Sequence, residues 1–322
     1  MFDLDKYTSF IEAQIKDIQT PKKPANLYDP FHYLLNIGGK RIRPILTLLG
    51  AELFGLEKEK VIGQALSVEI FHNFTLVHDD IMDEAPLRRN SKTVHEKWNQ
   101  NVAILSGDVM LIKAYQQLCR IEPERLSEAL LLFNNTAIEV CEGQQLDMDF
   151  ETRDNVTIDE YIEMIRLKTS VLLGSALQLG SIVAQADKVD QENLFAFGQN
   201  IGIAFQIQDD ILDLYADPEK FGKQVGGDVI SNKKTILHLT AEANATIEQN
   251  EVLKQLQKET NIEFKIKRTR ELFDQLDVKK TCKDKMDAYS KKAMTSLDAI
   301  NVKEDQKENL IQLAAYLMLR EV

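Results

Sequence analysis

Residues 124–217 contain no proline, and this uninterrupted tract is the feature that most limits the possible fold. Proline ends or kinks a helix, so its absence permits long helices. Apolar residues recur three and four positions apart, as at Ile158, Tyr161, Ile162 and Ile165, which is the spacing of one helix face. Alternating β-branched runs flanked by Asn-Gly or Asp-Gly turns are absent from the sequence. The sequence therefore predicts an all-α protein.

Helix boundaries follow from prolines and polar breaks. The predicted helices cover about 3–19, 29–36, Pro44 to about 54, 58–83, 91–97, 101–120, 124–149, 158–185, 190–216, 232–246 and two or three more from 259 onward. The Lys/Glu-rich stretch 251–285 is predicted to be a solvated helical surface. No linker, repeat or low-complexity segment divides the chain, so a single domain over residues 1–322 is predicted.

Charge and cysteine content narrow the function classes. Acidic residues outnumber basic ones by 51 to 39, and the net charge is −12. Proteins that bind nucleic acid normally carry a basic surface, so that class is disfavoured, although a few clustered cations could still bind a phosphate ligand.

The sequence contains three cysteines, an odd number, and they lack metal-binding spacing, which favours a reducing cytoplasm. They are Cys119, Cys141 and Cys282. The N-terminus lacks a signal-peptide core. The longest charge-free stretches, residues 169–186 and 193–208, carry polar residues, so no membrane span is predicted.

The motif Asp-Asp-x-x-Asp occurs twice, each time at the end of an apolar helix. The two copies are formed by Asp79, Asp80 and Asp83, and by Asp209, Asp210 and Asp213. The first and third aspartates of a copy lie one turn apart on one helix face. There they repel by about 0.2–0.5 kcal/mol and oppose the helix dipole. A single copy is often a solvated acidic face, but two copies with apolar flanks indicate a cation, and oxygen-only ligands suit Mg²⁺.

Basic residues lie close to the first acidic motif. The segment GGKRIRP, residues 38–44, opens a predicted helix with two glycines that allow a ligand to approach the backbone. It lacks the spacing of a Walker loop. Arg88 and Arg89 follow the acidic motif, where their guanidinium groups could bind phosphates. Each group alone could be a solvated basic turn, but together with the aspartates they favour an anion site.

Helix geometry adds further candidates on the faces that carry the aspartates. His72 precedes Asp79 by seven residues and therefore lies on the same face. Gly202 takes the equivalent place before Asp209, which indicates a close approach, and Gln206 lies one turn before Asp209. These residues are predicted to border the site.

Three lysines complete the candidate set. Lys168, followed by Thr169, interrupts an otherwise apolar helix, and Lys223 and Lys233 flank a Gly226-Gly227 segment that could act as a lid.

Taken together, these candidates predict one pocket with two facing carboxylate clusters, surrounding cations and an apolar interior. A di-metal oxygenase would need Glu-x-x-His pairs, and a triad hydrolase would need Gly-x-Ser-x-Gly; neither is supported.

Six segments, in this order, resemble the trans-isoprenyl diphosphate synthases, also called polyprenyl synthetases. They read GGKRIRP, EIFHNFTLVHDDIMDEAPLRRN, AILSGDVML, EGQQLD, LKTSVLL and GIAFQIQDDILDL. The resemblance implies a single-domain helical bundle around a central cavity, a homodimer and three Mg²⁺ ions. One departure is that the family's common Gly-Lys-Lys-Thr is here Asn-Lys-Lys-Thr, residues 232–235.

The resemblance also implies roles for individual residues. Asp79, Asp83 and Asp209 would ligate Mg²⁺, supported by Asp80, Asp210 and Asp213. Arg88, Lys168, Lys223 and Lys233 would hold the allylic diphosphate. Lys40, Arg43, His72 and Arg89 would hold isopentenyl diphosphate. Thr169 and Gln206 would face the developing allylic cation, and residues 240–322 receive no site.

The implied reaction is a head-to-tail, trans condensation of isopentenyl diphosphate with an allylic diphosphate. By resemblance, Phe74 and Thr75, five and four residues before Asp79, form the floor of the product tunnel. An ideal helix turns Phe74 about 140° away from Asp79, so this role comes from the resemblance alone. The expected products are C15–C20 with geranylgeranyl diphosphate favoured, and farnesyl diphosphate is the alternative.

Two rival functions stay open from the sequence. A terpene cyclase would also use an allylic diphosphate, but it needs no isopentenyl site such as GGKRIRP. A non-catalytic subunit of a prenyl synthase would not need intact carboxylates and the Arg88-Arg89 pair. Both are therefore disfavoured.

Overall fold

The computed structural model describes residues 3–216 and 225–318. Helix makes up 78% of the structure. Within the described residues the strands are confined to one short antiparallel hairpin, in which Leu87 pairs with Lys92 and Arg88 with Ser91. The all-α prediction is confirmed.

The first half of the chain forms the following elements. They are α1 Leu4–Lys16, α2 Ala25–Asn36, α3 Ile42–Glu52, a 3₁₀ turn Lys58–Lys60, α4 Ile62–Met82, β1 Leu87–Arg88, β2 Ser91–Lys92, α5 Val94–Lys97, α6 Gln100–Leu118 and α7 Pro123–Thr152.

The second half continues with helices alone among its described residues. They are α8 Ile158–Ile165, a π turn Arg166–Ser170, α9 Val171–Val183, α10 Lys188–Tyr215, α11 Gly227–Ile230, α12 Ile236–Asn244, α13 Ile247–Gln257, α14 Ile262–Gln275, α15 Val278–Asp298 and α16 Glu304–Met318.

Some boundaries differ from the sequence-based expectation, for local reasons. Helix α2 begins at Ala25, ahead of the expected start, and contains Pro30. Burial of Pro30, Phe31 and Leu34 offsets the one hydrogen bond that an internal proline removes. The segment expected to begin a helix at residue 91 instead forms the second strand of the hairpin.

Close packing divides the chain into two compact units. One comprises Met1–Asn135, Ser175–Phe195 and Ile300–Leu310, and the other comprises Thr136–Gly174, Ala196–Ala299 and Ile311–Val322. Each unit is therefore assembled from separate stretches of sequence. The expectation of a single domain stays a prediction.

In the first unit, helix α4 packs along α6, and α3 packs against α4. Helices α3 and α9 approach closely where each has a glycine. A Cβ at Gly50 would lie 2.3 Å from the carbonyl oxygen of Leu177, and one at Gly180 would lie 2.2 Å from that of Thr47. The two helices can meet at this distance only because neither position has a side chain.

The second unit has a core built around α10. Ile203, Ile207, Ile211 and Leu214 recur at helical spacing and are buried. Val156 and residues of helices α7, α8, α12, α13, α14 and α15 supply the rest of this apolar cluster. The aspartates of the second acidic motif therefore lie on a helix whose opposite residues are fixed in a packed core.

The Lys/Glu-rich stretch 251–285 was predicted to be a solvated surface, and for one face of its helices this is wrong. The buried residues of that face, besides Lys265, are Leu253, Leu256, Thr269, Leu272, Phe273, Val278 and Cys282. Lys265 in α14 is only 5% exposed. Its ammonium group is retained inside because three oxygen atoms accept its hydrogen bonds.

Among residues 3–216 and 225–318, no helix combines the length and the apolar composition that a bilayer-spanning segment needs. This agrees with the expectation from the charge-free stretches.

Replacing Gly180 with Ala should lower the free energy of unfolding by about 2 kcal/mol in urea denaturation. The new methyl group would meet the backbone of α3 at Thr47, which cannot move without shifting the helix. Gly107→Ala is the matched control, because its Cβ would meet the ring end of His78, which can rotate. Equal stability of the two variants would contradict the close α3–α9 contact.

Candidate active site

The first acidic motif lies at the C-terminal end of α4. Asp83 caps the helix, and its backbone N–H donates to the carbonyl oxygen of Asp79 over 2.8 Å. The two residues are thus one turn apart, as predicted. Asp79 is half-buried and Asp83 is exposed, so both carboxylates lie at the border between protein and solvent.

Asp80, between them, has a different environment. It is 1% exposed and is bound by Arg88. The Arg88 Nε atom lies 2.9 Å from both carboxylate oxygens, and Nη2 lies 2.7 Å from Oδ1. Paired guanidinium contacts of this kind fix orientation as well as charge. Asp80 therefore holds the β-hairpin on the end of α4.

The two neighbouring arginines of the hairpin, Arg88 and Arg89, bind different partners. Arg89 and Asn90 form the two-residue turn, and both have positive φ, as type I′ hairpin turns require. The Arg89 guanidinium donates to the carbonyl oxygen of Gly38. A Cβ at Gly39 would lie 2.5 Å from Arg89 Nη1, so glycine is required for this approach. The turn joins GGKRIRP to the first acidic motif.

The three basic residues of GGKRIRP do not share one role. Arg41 is buried and forms an ion pair with Glu69 at 2.5 Å, while its Nη2 donates to the carbonyl oxygen of Leu35. Asn73 also donates to Glu69, over 3.1 Å. Arg41 therefore anchors the start of α3, and Lys40 and Arg43 are the two cations assigned to a ligand.

Arg43 and His72 form the centre of an electropositive cluster. Arg43 Nη1 lies 3.2 Å from His72 Nε2. Shielding from water, followed by the charges of Arg43 and Arg89, holds the pKa of His72 well below its usual range. Shielding from water also lowers the pKa of Arg43 to about 10, with Glu69 opposing the shift. A bound anion would offset this repulsion between cations.

The second acidic motif repeats the arrangement of the first. Asp209 and Asp213 are half-buried, whereas Asp210 is 4% exposed. The Tyr161 hydroxyl donates to Asp210. Gln206 Nε2 and the backbone N–H of Ile236 donate to it over 3.3 and 3.4 Å.

Asp210 thus joins three helices of the second unit, α8, α10 and α12. Burial and the nearby charge of Asp228 raise the pKa of Asp210 to about 7, although its hydrogen bonds oppose the shift. Burial raises the pKa of the Tyr161 hydroxyl well above its usual range, and the Asp210 charge adds to the effect.

Asp228 is a site residue that the sequence interpretation missed. Its backbone N–H donates to Asp213 over 3.0 Å. Burial, together with the charge of Asp213, raises the pKa of Asp228 to about 6, while Lys233 acts in the opposite direction. The available signal was an aspartate directly after Gly226-Gly227.

Lys168 and Thr169 lie in the π turn between α8 and α9. A π turn contains one residue more than an α turn and is frequent at functional sites. Lys168 Nζ forms a 2.5 Å ion pair with Asp147. A Cβ at Gly143 would lie 2.2 Å from the backbone nitrogen of Lys168. The glycine thus lets α7 lie directly against the turn.

A cavity of about 690 Å³ brings together many of the predicted residues of the second unit. Its lining includes Lys168, Thr169, Gln206, Asp210, Asp228 and Lys233. Gly202 makes the close approach that the sequence indicated, since its Cβ would lie 2.8 Å from Ser170 Cα. Lys223 lies outside the described residues.

Phe74 and Thr75 lie on α4 in the first unit. The Phe74 ring is 4.8 Å from the ring of His78 and 5.7 Å from that of Phe71, between centroids. Thr75 Oγ1 donates to the carbonyl oxygen of His72. Phe74 is therefore part of an aromatic cluster, and its role in limiting product length stays a prediction.

The donor chemistry of both motifs fits a hard divalent cation. In the described part of the chain, no group of three or more His, Cys, Asp or Glu side chains is arranged to hold a metal by itself. Mg²⁺ commonly takes one or two carboxylates and completes its shell with water and substrate phosphate. The outer aspartates of each motif suit that mode.

Residues 24–275 match the family model described as polyprenyl synthetase. A geranylgeranyl diphosphate synthase from Methanosarcina mazei is 41% identical over 241 residues, which are 74% of each chain. A geranylgeranyl pyrophosphate synthase from Geoglobus acetivorans is 36% identical, covering 97% of this chain and 96% of the relative. A crystal structure of geranylgeranyl pyrophosphate synthase superposes with a TM-score of 0.94 at 43% identity over the full length of both chains. The chain therefore belongs to the polyprenyl synthetase family.

Proposed function

We propose that the chain is a short-chain trans-prenyltransferase that joins isopentenyl diphosphate head-to-tail to an allylic diphosphate and releases diphosphate. The shared construction of the two acidic motifs carries this proposal. In each, the middle aspartate is buried and bound by protein groups, and the outer aspartates reach the surface of the protein. Products of C15–C20 are expected, and the relatives named geranylgeranyl synthases favour C20.

Asp79, Asp83 and Asp209 are the proposed Mg²⁺ ligands, and the family's reaction depends on Mg²⁺. We assign three ions by the family resemblance. When bound, Mg²⁺ stabilises the negative charge that develops on the departing diphosphate. Asp80 and Asp210 are assigned a supporting role, because both are buried and bound by protein donors. They keep the outer aspartates in place. Asp213, which accepts from the backbone N–H of Asp228, is also assigned a supporting role.

The first unit supplies the proposed site for isopentenyl diphosphate. Lys40, Arg43, His72 and Arg89 are its assigned residues. Arg43 lies 3.2 Å from His72, and the nearby charge of Glu69 offsets only part of the effect of burial on Arg43. A diphosphate would neutralise the arginines and accept hydrogen bonds from them and from the His72 ring.

The second unit supplies most of the proposed site for the allylic diphosphate. Lys168 and Lys233 line its cavity and are assigned to the diphosphate. The family resemblance also assigns Arg88 and Lys223 to the allylic diphosphate, and Lys223 lies outside the described residues. The ion pair of Lys168 with Asp147 fixes the direction of the ammonium group before substrate arrives.

Thr169 and Gln206 are assigned to the allylic cation. The Nε2 atom of Gln206 donates to Asp210, so the carbonyl oxygen is the end of the amide that can face a positive charge. The double bond of isopentenyl diphosphate attacks the cation, and a proton is then lost to the departed diphosphate. The apolar residues Phe150, Met164 and Ile165 of the cavity lining help to exclude water, which would quench the cation.

We also propose that the protein is a homodimer. Leu105 and Ile112 on α6 are 57% and 58% exposed. Together with Leu27 they line an apolar concavity of about 420 Å³. Contiguous exposed apolar surface of this kind marks an interaction site. A cytoplasmic location is proposed from the three cysteines, none of which forms a disulfide.

The first test combines the purified chain, Mg²⁺, isopentenyl diphosphate and, separately, C5, C10 and C15 allylic diphosphates. Mass spectrometry should show prenyl diphosphates ending at C15 or C20. Asp79→Asn should lower turnover by about 100-fold or more, whereas Asp5→Asn, on the exposed face of α1, should not. A hydrocarbon product would favour a cyclase, and no condensation with any primer would favour a non-catalytic subunit.

Phe74→Ala should extend the products beyond those of the unchanged chain, because it removes the ring expected to limit the growing prenyl chain. Product lengths are read by mass spectrometry with the C15 primer. Phe264→Ala is the control, since this phenylalanine is exposed. An unchanged product distribution in Phe74→Ala would show that another residue sets the length.

The pKa of His72 provides a test of the isopentenyl site. Without ligand, the ring should stay neutral to well below pH 6.5, because burial and neighbouring arginines disfavour its charged form. Isopentenyl diphosphate should raise this pKa by about 1–3 pH units, since its negative charges offset the arginines. NMR titration measures both values, with His72→Gln used to assign the signal. A pKa that ligand leaves unchanged would place the diphosphate elsewhere.

A further inference from the structure

Lys265 lies on α14, outside the six segments that carry the family resemblance but within the residues 24–275 that match the family model. It is buried, and its ammonium group donates to Asn232 Oδ1 over 2.7 Å and to the carbonyl oxygens of Gln257 and Ile230 over 3.3 and 3.4 Å. A lysine has three N–H donors, so these three oxygens match its full capacity. Within the described residues, Lys265 forms no ion pair. Its N–H groups instead bind two backbone carbonyl oxygens and the side-chain amide of Asn232.

Asn232 is the residue at which the chain departs from the family's glycine. Its φ is +54°, a left-handed conformation that glycine adopts freely and asparagine tolerates better than most residues. The side chain accepts from Lys265 and also donates to the carbonyl oxygen of Gln257 over 3.2 Å. The substitution thus keeps the backbone conformation and adds a tether that glycine cannot provide.

These two hydrogen bonds of Asn232 hold the segment 226–233, which carries Asp228 and Lys233. The backbone N–H of Lys233 donates to the carbonyl oxygen of Asp228 over 2.9 Å, closing the turn that follows α11. At the other end of this segment, a Cβ at Gly226 would lie 2.9 Å from the side chain of Ile266, the neighbour of Lys265. Helix α14 therefore contacts the segment at both ends.

We propose that Lys265, acting through Asn232, is a positioning residue that fixes Lys233 at the wall of the allylic cavity. The proposal rests on the assignment of Lys233 to the allylic diphosphate. A helix of four residues has little stability alone, so α11 needs contacts from α14 to hold its place. Lys265 supplies such contacts through Asn232 and Ile230, and it is not among the residues that line the allylic cavity.

The test compares two substitutions at residue 232 that both tolerate positive φ. Asn232→Asp keeps an acceptor for Lys265 and should keep the KM for the allylic diphosphate within about 2-fold. Asn232→Gly restores the family's residue but removes the acceptor, and it should raise that KM about 3- to 5-fold. The KM for isopentenyl diphosphate should not change in either variant. Equal allylic KM values for the two variants would overturn the proposal.

A second set of variants tests Lys265 directly. Lys265→Met should raise the allylic KM about 10-fold, since displacement of a substrate-holding group by about 1 Å can cost up to 100-fold. Lys267→Met, on the exposed side of the same helix, is the matched control. Thermal unfolding of each variant separates a folding defect from a change in substrate binding, and the residue 232 pair decides the question if Lys265→Met is unfolded.

Lys233→Ala distinguishes the substrate-binding role of Lys233 from the positioning role of Lys265. If it leaves the allylic KM unchanged, the assignment of Lys233 is wrong. If it raises this KM but Lys265→Met does not, the assignment stands and the positioning role fails. In the double variant Lys233→Ala/Lys265→Met, the allylic KM should equal that of Lys233→Ala alone, because Lys265 acts through Lys233. Additive effects would contradict this dependence.

Discussion

Buried carboxylates at two helix ends are the constraint on which the candidate active site depends. An ionised carboxylate removed from water must be hydrogen-bonded or paired. Asp80 meets this requirement with Arg88, and Asp210 meets it with Tyr161, Gln206 and Ile236. Asp80 therefore holds the β-hairpin against α4, and Asp210 holds α8 and α12 against α10.

The outer aspartates gain their positions from this arrangement. Because the middle residue of each motif is fixed, its neighbours one turn apart are directed by the helix itself. Placing several carboxylates close together in the second unit disfavours their charged forms. Burial and mutual repulsion raise the pKa of Asp210 to about 7 and that of Asp228 to about 6. A cation and the ammonium groups around a diphosphate would relieve that repulsion.

The sequence was sufficient for features that depend on local spacing. The helical class, the one-turn separation of Asp79 and Asp83 and the close approach at Gly202 all follow from residue periodicity. It was insufficient where a partner lies far along the chain. Nothing near Arg41 indicates that Glu69, 28 residues later, removes it from the ligand site, and nothing near Lys265 indicates three oxygen acceptors. Family resemblance did not supply these contacts either. Arg41 and Glu69 both lie inside segments that carry the resemblance, but a motif does not say which of its residues pair with one another, and Lys265 lies beyond those segments.

The π turn between α8 and α9 has a consequence for how the sequence can change. The backbone N–H of Val171 donates to the carbonyl oxygen of Arg166, so the turn holds one residue more than a regular helix. Because the extra residue is absorbed within the turn, α8 and α9 keep the faces that they would have in one regular helix. Deleting one residue there would restore a regular helix and leave the packed faces on both sides in place. The side chains within the turn would change direction, however, and Lys168 and Thr169 line the cavity from this turn. A deletion would therefore disturb these two side chains rather than the packing of the helices.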